Sequence, residues 1–215
     1  MASTSYRLAD KGRNVKTYTH WGMKTPLLAK LQIRYAGSSS FSFDYEVTEE
    51  SSGEILFSAV MTFVYVDFRT RKPAQFPAWY NKWKNQQSLG TPPTRLETPL
   101  VPSNAFRFDV QASFSDIDHN GHINQSIYVK WSTDAGTEAA LKGHYSHFNE
   151  NIGKYPLKTL DLKYLGEGIV NDVIEIFTWQ DAHSPLVLHF VFKNKGKIAV
   201  VARFEYDSKG IGPKL

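Results

Sequence analysis

The chain has 215 residues and no cysteine, which excludes disulfides, thiolate metal sites and a cysteine nucleophile, and agrees with a reducing compartment. With 41% hydrophobic and 14% aromatic residues it can bury a core as one large domain or two small ones, and it is too apolar for a disordered chain. The net charge of +4 is uneven: thirteen basic against eight acidic residues in 1–100, and twelve against thirteen in 101–215.

Such an excess can steer an anionic ligand, for example a phosphorylated carrier. No basic helix or aromatic RNA-binding motif accompanies it, so nucleic acid is not an expected partner. No apolar run approaches the roughly 18–20 residues that a bilayer span needs, and residues 1–10 lack the apolar core of a signal peptide. A soluble intracellular protein is expected, cytoplasmic by default, with an organelle left open.

From the N-terminus, period-two alternation dominates. It runs through Leu31, Ile33 and Tyr35, then Phe41, Phe43, Tyr45 and Val47, then Ile55, Phe57, Ala59, Met61, Phe63 and Tyr65. Runs of this kind predict antiparallel strands with one buried face, and the polar, Gly-containing stretch 49–53 predicts a hairpin turn. Residues 68–103 carry Pro73, Pro77, Pro92, Pro93, Pro99 and Pro102 and read as a linker, with one short helix at 78–87 whose Trp79, Tyr80 and Trp83 pack onto a sheet. A strand at 106–114 follows.

The one longer helix is predicted from 124 to about 141. Ile123, Ile127, Val129, Trp131, Ala135, Ala139 and Ala140 supply its apolar face, and Gly136 weakens its middle. Four strands close the chain, at 158–164, 173–179, 186–192 and 197–206.

Sliding the chain by 143 positions aligns the halves without a gap. Trp21 falls on Tyr164, Ile33 on Ile176, Gly53 on Gly196, Ile55 on Ile198, Ala59 on Ala202 and Phe63 on Tyr206. The match predicts a tandem repeat: an incomplete unit of strands at 1–67, a linker at 68–103 and a complete unit at 104–215. The first unit's counterparts of the leading strand and most of the helix are expected before Met1.

Between strand and helix, Ser115-Asp116-Ile117-Asp118-His119-Asn120-Gly121-His122-Ile123-Asn124-Gln125 gathers two carboxylates, two imidazoles and two carboxamides. Asp and Asn at such a junction can simply cap the helix and fold the turn, and Asn124 is a cap candidate. Asp118, His119 and His122 could ligate a metal, but no second cluster completes the site, and no metal or cofactor is predicted. The catalytic reading rests on the helix start. Its unpaired N–H groups and positive dipole end can hold an oxyanion, here with the amides near 121–124. A carboxylate beside them can act as nucleophile or as general base toward water, with Asn120 and His122 orienting water or carbonyl, and Gly121 lets backbone approach a substrate.

This run resembles the opening of the hotdog-fold thioesterases, above all the acyl-acyl-carrier-protein thioesterases and the 4-hydroxybenzoyl-CoA thioesterase-like group. Their Ser-Asp-x-Asp-x-Asn-x-His-Val-Asn-Asn-x-x-Tyr pattern is met by Ser115, Asp116, Asp118, Asn120, His122, Ile123, Asn124 and Tyr128, with Gln125 departing from it. The resemblance implies an α+β hotdog fold, an antiparallel sheet wrapped around one long helix. It implies Asp118, Asn120 and His122 as a catalytic set, joined by Glu167 shortly after Tyr164. Gly121, Asn124, Tyr128 and Trp131 are expected to contact substrate. The first half has no such run, and Lys24 stands opposite Glu167, so at most one site per chain follows.

The implied activity is hydrolysis of an acyl thioester carried on coenzyme A or acyl-carrier protein; the alternative is a non-catalytic module that binds acyl groups or a protein partner. Hotdog units work in pairs. Strand faces such as Leu31, Ile33, Phe43 and Tyr45, left bare by the missing helix, predict a homodimer or an intrachain pair.

Overall fold

The computed structural model describes residues 2–9, 26–67, 69–85 and 90–208, and divides into two compact units, Met1–Leu96 and Glu97–Leu215. The first unit holds strands β1 (Ala2–Leu8), β2 (Leu27–Ala36), β3 (Ser40–Glu49) and β4 (Ile55–Val64), joined antiparallel in the order β2-β3-β4-β1. A two-residue ladder follows, β5 (Val66–Asp67) with β6 (Lys72–Pro73), then a short helix, Ala78–Lys84.

The register explains the alternation. Leu31 lies opposite Tyr45, Tyr45 opposite Ala59, and Phe43 opposite Met61, while Lys30 faces Glu46 and Gln32 faces Asp44 on the other side. One face is apolar and one polar, as period two requires. The apolar face is incompletely covered, with Leu31 56% and Phe63 43% exposed. The parity fails at the start of β4. Its register slips between Val47 and Thr48, so Leu56 is an extra residue, fully buried, while Ile55 is exposed.

The short helix ends at Lys84; the expected end at Gln87 lies outside the described residues. Tyr80 is buried and packs on Phe76 with ring centroids 4.0 Å apart, and Phe76 meets Phe41 of β3. Trp79, expected on the sheet, is instead 69% exposed.

The second unit is strand, helix, four strands: β7 (Phe106–Gln111), the long helix Gln125–Leu141, then β8 (Leu157–Tyr164), β9 (Val173–Gln180), β10 (Val187–Asn194) and β11 (Lys197–Tyr206). Its antiparallel sheet has the order β8-β11-β10-β9-β7. The helix lays Tyr128, Trp131, Ser132, Ala135, Gly136, Ala139 and Ala140 on the core, where Ile174, Ile176, Leu188, Phe190 and Phe192 are fully buried. Gly136 allows this approach. A Cβ there would lie 2.5 Å from Ile152 Cδ1 and 3.3 Å from the Phe190 ring, so the glycine that weakens the isolated helix is what lets it close on the core. Among the described residues, no helix is long and apolar enough to cross a membrane.

The two units share a pattern. In each, three consecutive strands form a meander, β2-β3-β4 and β9-β10-β11, and the last of the three pairs with an earlier strand, β1 or β8. Thus β1 (Ala2–Leu8), a strand that the alternation did not announce, takes the place of β8, and the first unit has no counterpart of β7 among the described residues. The expected equivalence of Trp21 with Tyr164, and of Lys24 with Glu167, lies outside the described residues. A constant offset of 143 also fails. It would set position 186 opposite Phe204, where Leu188 stands, because residues 50–54 connect β3 to β4 whereas Lys195 and Gly196 alone connect β10 to β11.

Candidate active site

Strand β7 ends at Gln111, short of the expected Phe114, because the chain turns at Ser113. Asp116 Oδ2 accepts the Ser113 N–H at 2.8 Å, and the Asp116 N–H returns to the Ser113 carbonyl at 3.1 Å. This reciprocal box buries Asp116, which therefore folds the turn.

A bridge between Ile117 and Ile123 then closes a tight loop with Asp118 to His122 at its tip. The Asp118 N–H donates to the His122 carbonyl (2.9 Å), the Gly121 N–H to the Asp118 carbonyl (3.0 Å) and the Asn120 N–H to Asp118 Oδ1 (2.8 Å). His122 Nδ1 stands 3.4 Å from Asp118 Oδ2. Gly121 has φ +78°, a left-handed turn that a side chain would strain. Burial raises the pKa of Asp118, but the Asn120 amide, the His122 charge and further hydrogen bonds outweigh it and hold the carboxyl below its ordinary range.

Asn124 caps the long helix: its Oδ1 accepts the Ser126 N–H and the Ser126 hydroxyl, both at 2.9 Å. The amides expected to hold an oxyanion are engaged within the protein. Gly121 donates to Asp118 within the loop, while Ile123 donates to the Gly168 carbonyl (2.8 Å) and Asn124 to the Asp116 carbonyl (2.8 Å), on the segments that flank it.

Glu167 lies on the exposed loop after β8. This loop docks on the motif through the Ile123–Gly168 bond and through the Ile123 side chain, which fills the space that a Gly168 side chain would need. Tyr128, 2% exposed, lies within reach of the Glu167 charge and the Gly168 amide. Its phenol is pushed up to about 12, first by burial, then by the Glu167 charge and that of Asp172, against an opposing Gly168 amide. Trp131, equally buried, meets Tyr128 edge-on at 5.9 Å; both wall the core beneath the helix start. The structure thus gathers Asp118, Asn120 and His122 in one turn and brings the Glu167 loop against it.

Sequence reasoning missed Gly168, Asp172, Asn194 and Lys195, which shape that loop. One signal was available: Asn194-Lys195-Gly196, with φ +51° at Lys195 and +77° at Gly196, has the signature of a two-residue hairpin turn. An open groove of about 750 Å³, lined by Phe106, His144, His147, Trp179 and His183 among others, lies beyond the other end of the helix and holds none of the motif residues. Among the described residues, no group of three or more His, Asp or Glu is placed to hold a metal ion.

Residues 102–208 match the family model of the acyl-ACP thioesterase C-terminal domain. The second unit belongs to that family. Thioester hydrolysis is the chemistry of the acyl-ACP thioesterases, and the chain is a thioester hydrolase. Similar solved structures include the 12:0-ACP thioesterase from Umbellularia californica, at 17% identity and TM-score 0.69 over 96% of this chain and 75% of that one. An acyl-ACP thioesterase from Bacteroides thetaiotaomicron VPI-5482 is similar at 17% identity and TM-score 0.63, with the same coverage. At these identities the likeness establishes the fold, an α+β hotdog arrangement repeated in tandem; among the described residues the first unit shows the strands of that arrangement. No curated protein matches the sequence.

Proposed function

We propose that this acyl-ACP thioesterase relative cleaves acyl thioesters presented on an acyl-carrier protein, with Asp118 activating the attacking water. Asn120 and His122 position that water and the thioester carbonyl, and Glu167 supports them from the facing loop. Water adds to the carbonyl carbon, the carbon–sulfur bond breaks, and the products are the free acid and the carrier thiol. The observation that carries this reading is the single turn that holds Asp118 and His122 side by side, 3.4 Å apart, at the start of a buried helix. Asp118 is ionised at neutral pH, as an ordinary carboxylate also is, and this is the form that water activation uses. The match of residues 102–208 to an acyl-ACP thioesterase domain supports the carrier protein over coenzyme A, and no observation favours a module that binds without turnover.

The test is hydrolysis of matched acyl-carrier-protein and acyl-CoA panels by the native chain and by Asp118→Ala. The native chain is expected to prefer the carrier-protein substrates, and the variant to lose about 100-fold or more in kcat. Equal rates would remove Asp118 from the mechanism. Fatty-acid binding without cleavage of any thioester would replace hydrolysis with the binding reading.

A further inference from the structure

Asp172 is a buried carboxylate outside the motif, and all its partners converge on the Glu167 loop. Its side chain is 8% exposed; Oδ1 takes the Lys195 ammonium at 2.8 Å, and Oδ2 accepts the Asn194 carboxamide at 2.7 Å and the Ile169 N–H at 3.1 Å. The same Asn194 Nδ2 donates to the Glu167 carbonyl at 3.1 Å. Both groups that this nitrogen meets are acceptors, so the orientation of the carboxamide is determined.

One side chain from the β10–β11 turn therefore grips the loop twice, at Glu167 and at Asp172. The backbone of Asp172 is anchored as well: its carbonyl accepts the Ala112 N–H at 2.9 Å, and the Asn171 N–H donates to the Ala112 carbonyl at 2.9 Å. Ala112 leads directly into the Ser113 turn. Between the two grips, the Gly168 carbonyl takes the Ile123 N–H.

A buried carboxylate is costly unless its oxygens are satisfied, so a set that meets both oxygens with three donors stabilises one loop geometry over others. The β10–β11 turn has no need of this tie for its own conformation, since Lys195 and Gly196 already supply its two positive φ angles.

We infer that Asp172, with Asn194 and Lys195, is a positioning residue that acts through Glu167, locking the β10–β11 turn to the loop that presents Glu167 to the Asp118 turn. This inference rests on the proposed role of Glu167. Lys195, 72% exposed, is the outer end of the lock.

The experiment uses the full chain, with Asp172→Asn, Lys195→Met and Glu167→Gln singly and Asp172→Asn combined with Glu167→Gln. Each variant is assayed with lauroyl-carrier protein and followed by amide hydrogen exchange. Asp172→Asn is expected to lower kcat by about 10- to 100-fold through misplacement of Glu167, with KM nearly constant. On top of Glu167→Gln it should cost less than about twofold, since coupled sites do not add. Exchange at the Ile123 amide should quicken about tenfold or more while Ala139 in the long helix stays protected.

Lys195→Met repeats the pattern at smaller amplitude and serves if Asp172→Asn does not fold. Independent, multiplicative losses, or an unchanged Ile123 amide, overturn the inference. If the native chain cleaves no thioester, the functional reading fails, while exchange still decides the lock: protection lost at Ile123 supports it and protection kept overturns it.

Discussion

The contact between Gly168 and Ile123 yields a prediction with an internal control. Gly168→Ala places a methyl on Ile123 Cδ1, with further contacts at 3.3 Å to Ile174 Cδ1 and 3.4 Å to Ile123 Cγ1. Ile123 is 2% exposed and its own N–H is tied to the Gly168 carbonyl, so neither partner can simply swing away. Overpacking of this kind costs about 1–3 kcal/mol, offset by about 0.4–1 kcal/mol because alanine restricts the unfolded chain. A net loss of about 1–2 kcal/mol follows. Ile123→Val alone costs about 0.5–1.5 kcal/mol for the lost methyl. That methyl is the Cδ1 with which the new alanine collides, so the double variant should recover about 1–2 kcal/mol relative to the sum of the singles. Thermal unfolding followed by circular dichroism reads this at roughly 2–4 °C per kcal/mol for a chain of this size. Thioester hydrolysis should fall in Gly168→Ala and return in the double variant. Additive stability losses, within about 0.5 kcal/mol, would refute the contact and with it the docking of the Glu167 loop on the motif.

Gly121, at φ +78° with open space around it, should tolerate asparagine better than alanine. Gly121→Ala is expected to cost about 1–2 kcal/mol and Gly121→Asn visibly less, compared by urea unfolding. Asn124→Ala should remove about 1 kcal/mol of helix-cap stability and Asn124→Ser little of it, by the same measurement. Burial raises Asp172's pKa, but Lys195, Asn194 and the Ile169 amide lower it by more, so its folded value lies below the ordinary 3.8. Its stabilisation is then complete above 3.8 and is lost as pH falls through the lower folded value, and Asp172→Asn should flatten the decline of Tm in that window. Burial moves the tyrosines the other way. Tyr128 is raised to about 12, and Tyr145 and Tyr206 are raised as well, so their contribution holds below the ordinary 10.0 and is lost as pH climbs through the folded values. Absorbance titration should find fewer tyrosines ionising near pH 10 in the native chain than in urea, and an equal number would contradict their burial.

What the sequence determined by itself is what short-range geometry controls. Alternation at Phe41, Phe43, Tyr45 and Val47 forces a strand, because side chains on a pleated backbone take opposite sides in turn. Asp118, Asn120 and His122 lie within five positions, so one tight loop brings them together whatever the rest of the chain does, and Asn124 can cap a helix with a bond to Ser126 alone. Such features, being local, are legible in the linear order of residues.

The tertiary structure alone decided the rest. The slip at Leu56 depends on how β3 and β4 pair, and alternation within β4 carries no trace of it. Gly136 reads as a flaw in a helix until Ile152 and Phe190 are set against it. The Glu167 loop is positioned by Ala112, Ile123, Asp172, Asn194 and Lys195, which come from separate parts of the chain and have no common spacing. Their convergence follows from strand order and register, which are properties of the assembled sheet. The motif at Asp118 could therefore be read in advance, while the groups that hold the Glu167 loop against it appear only once the sheet is assembled.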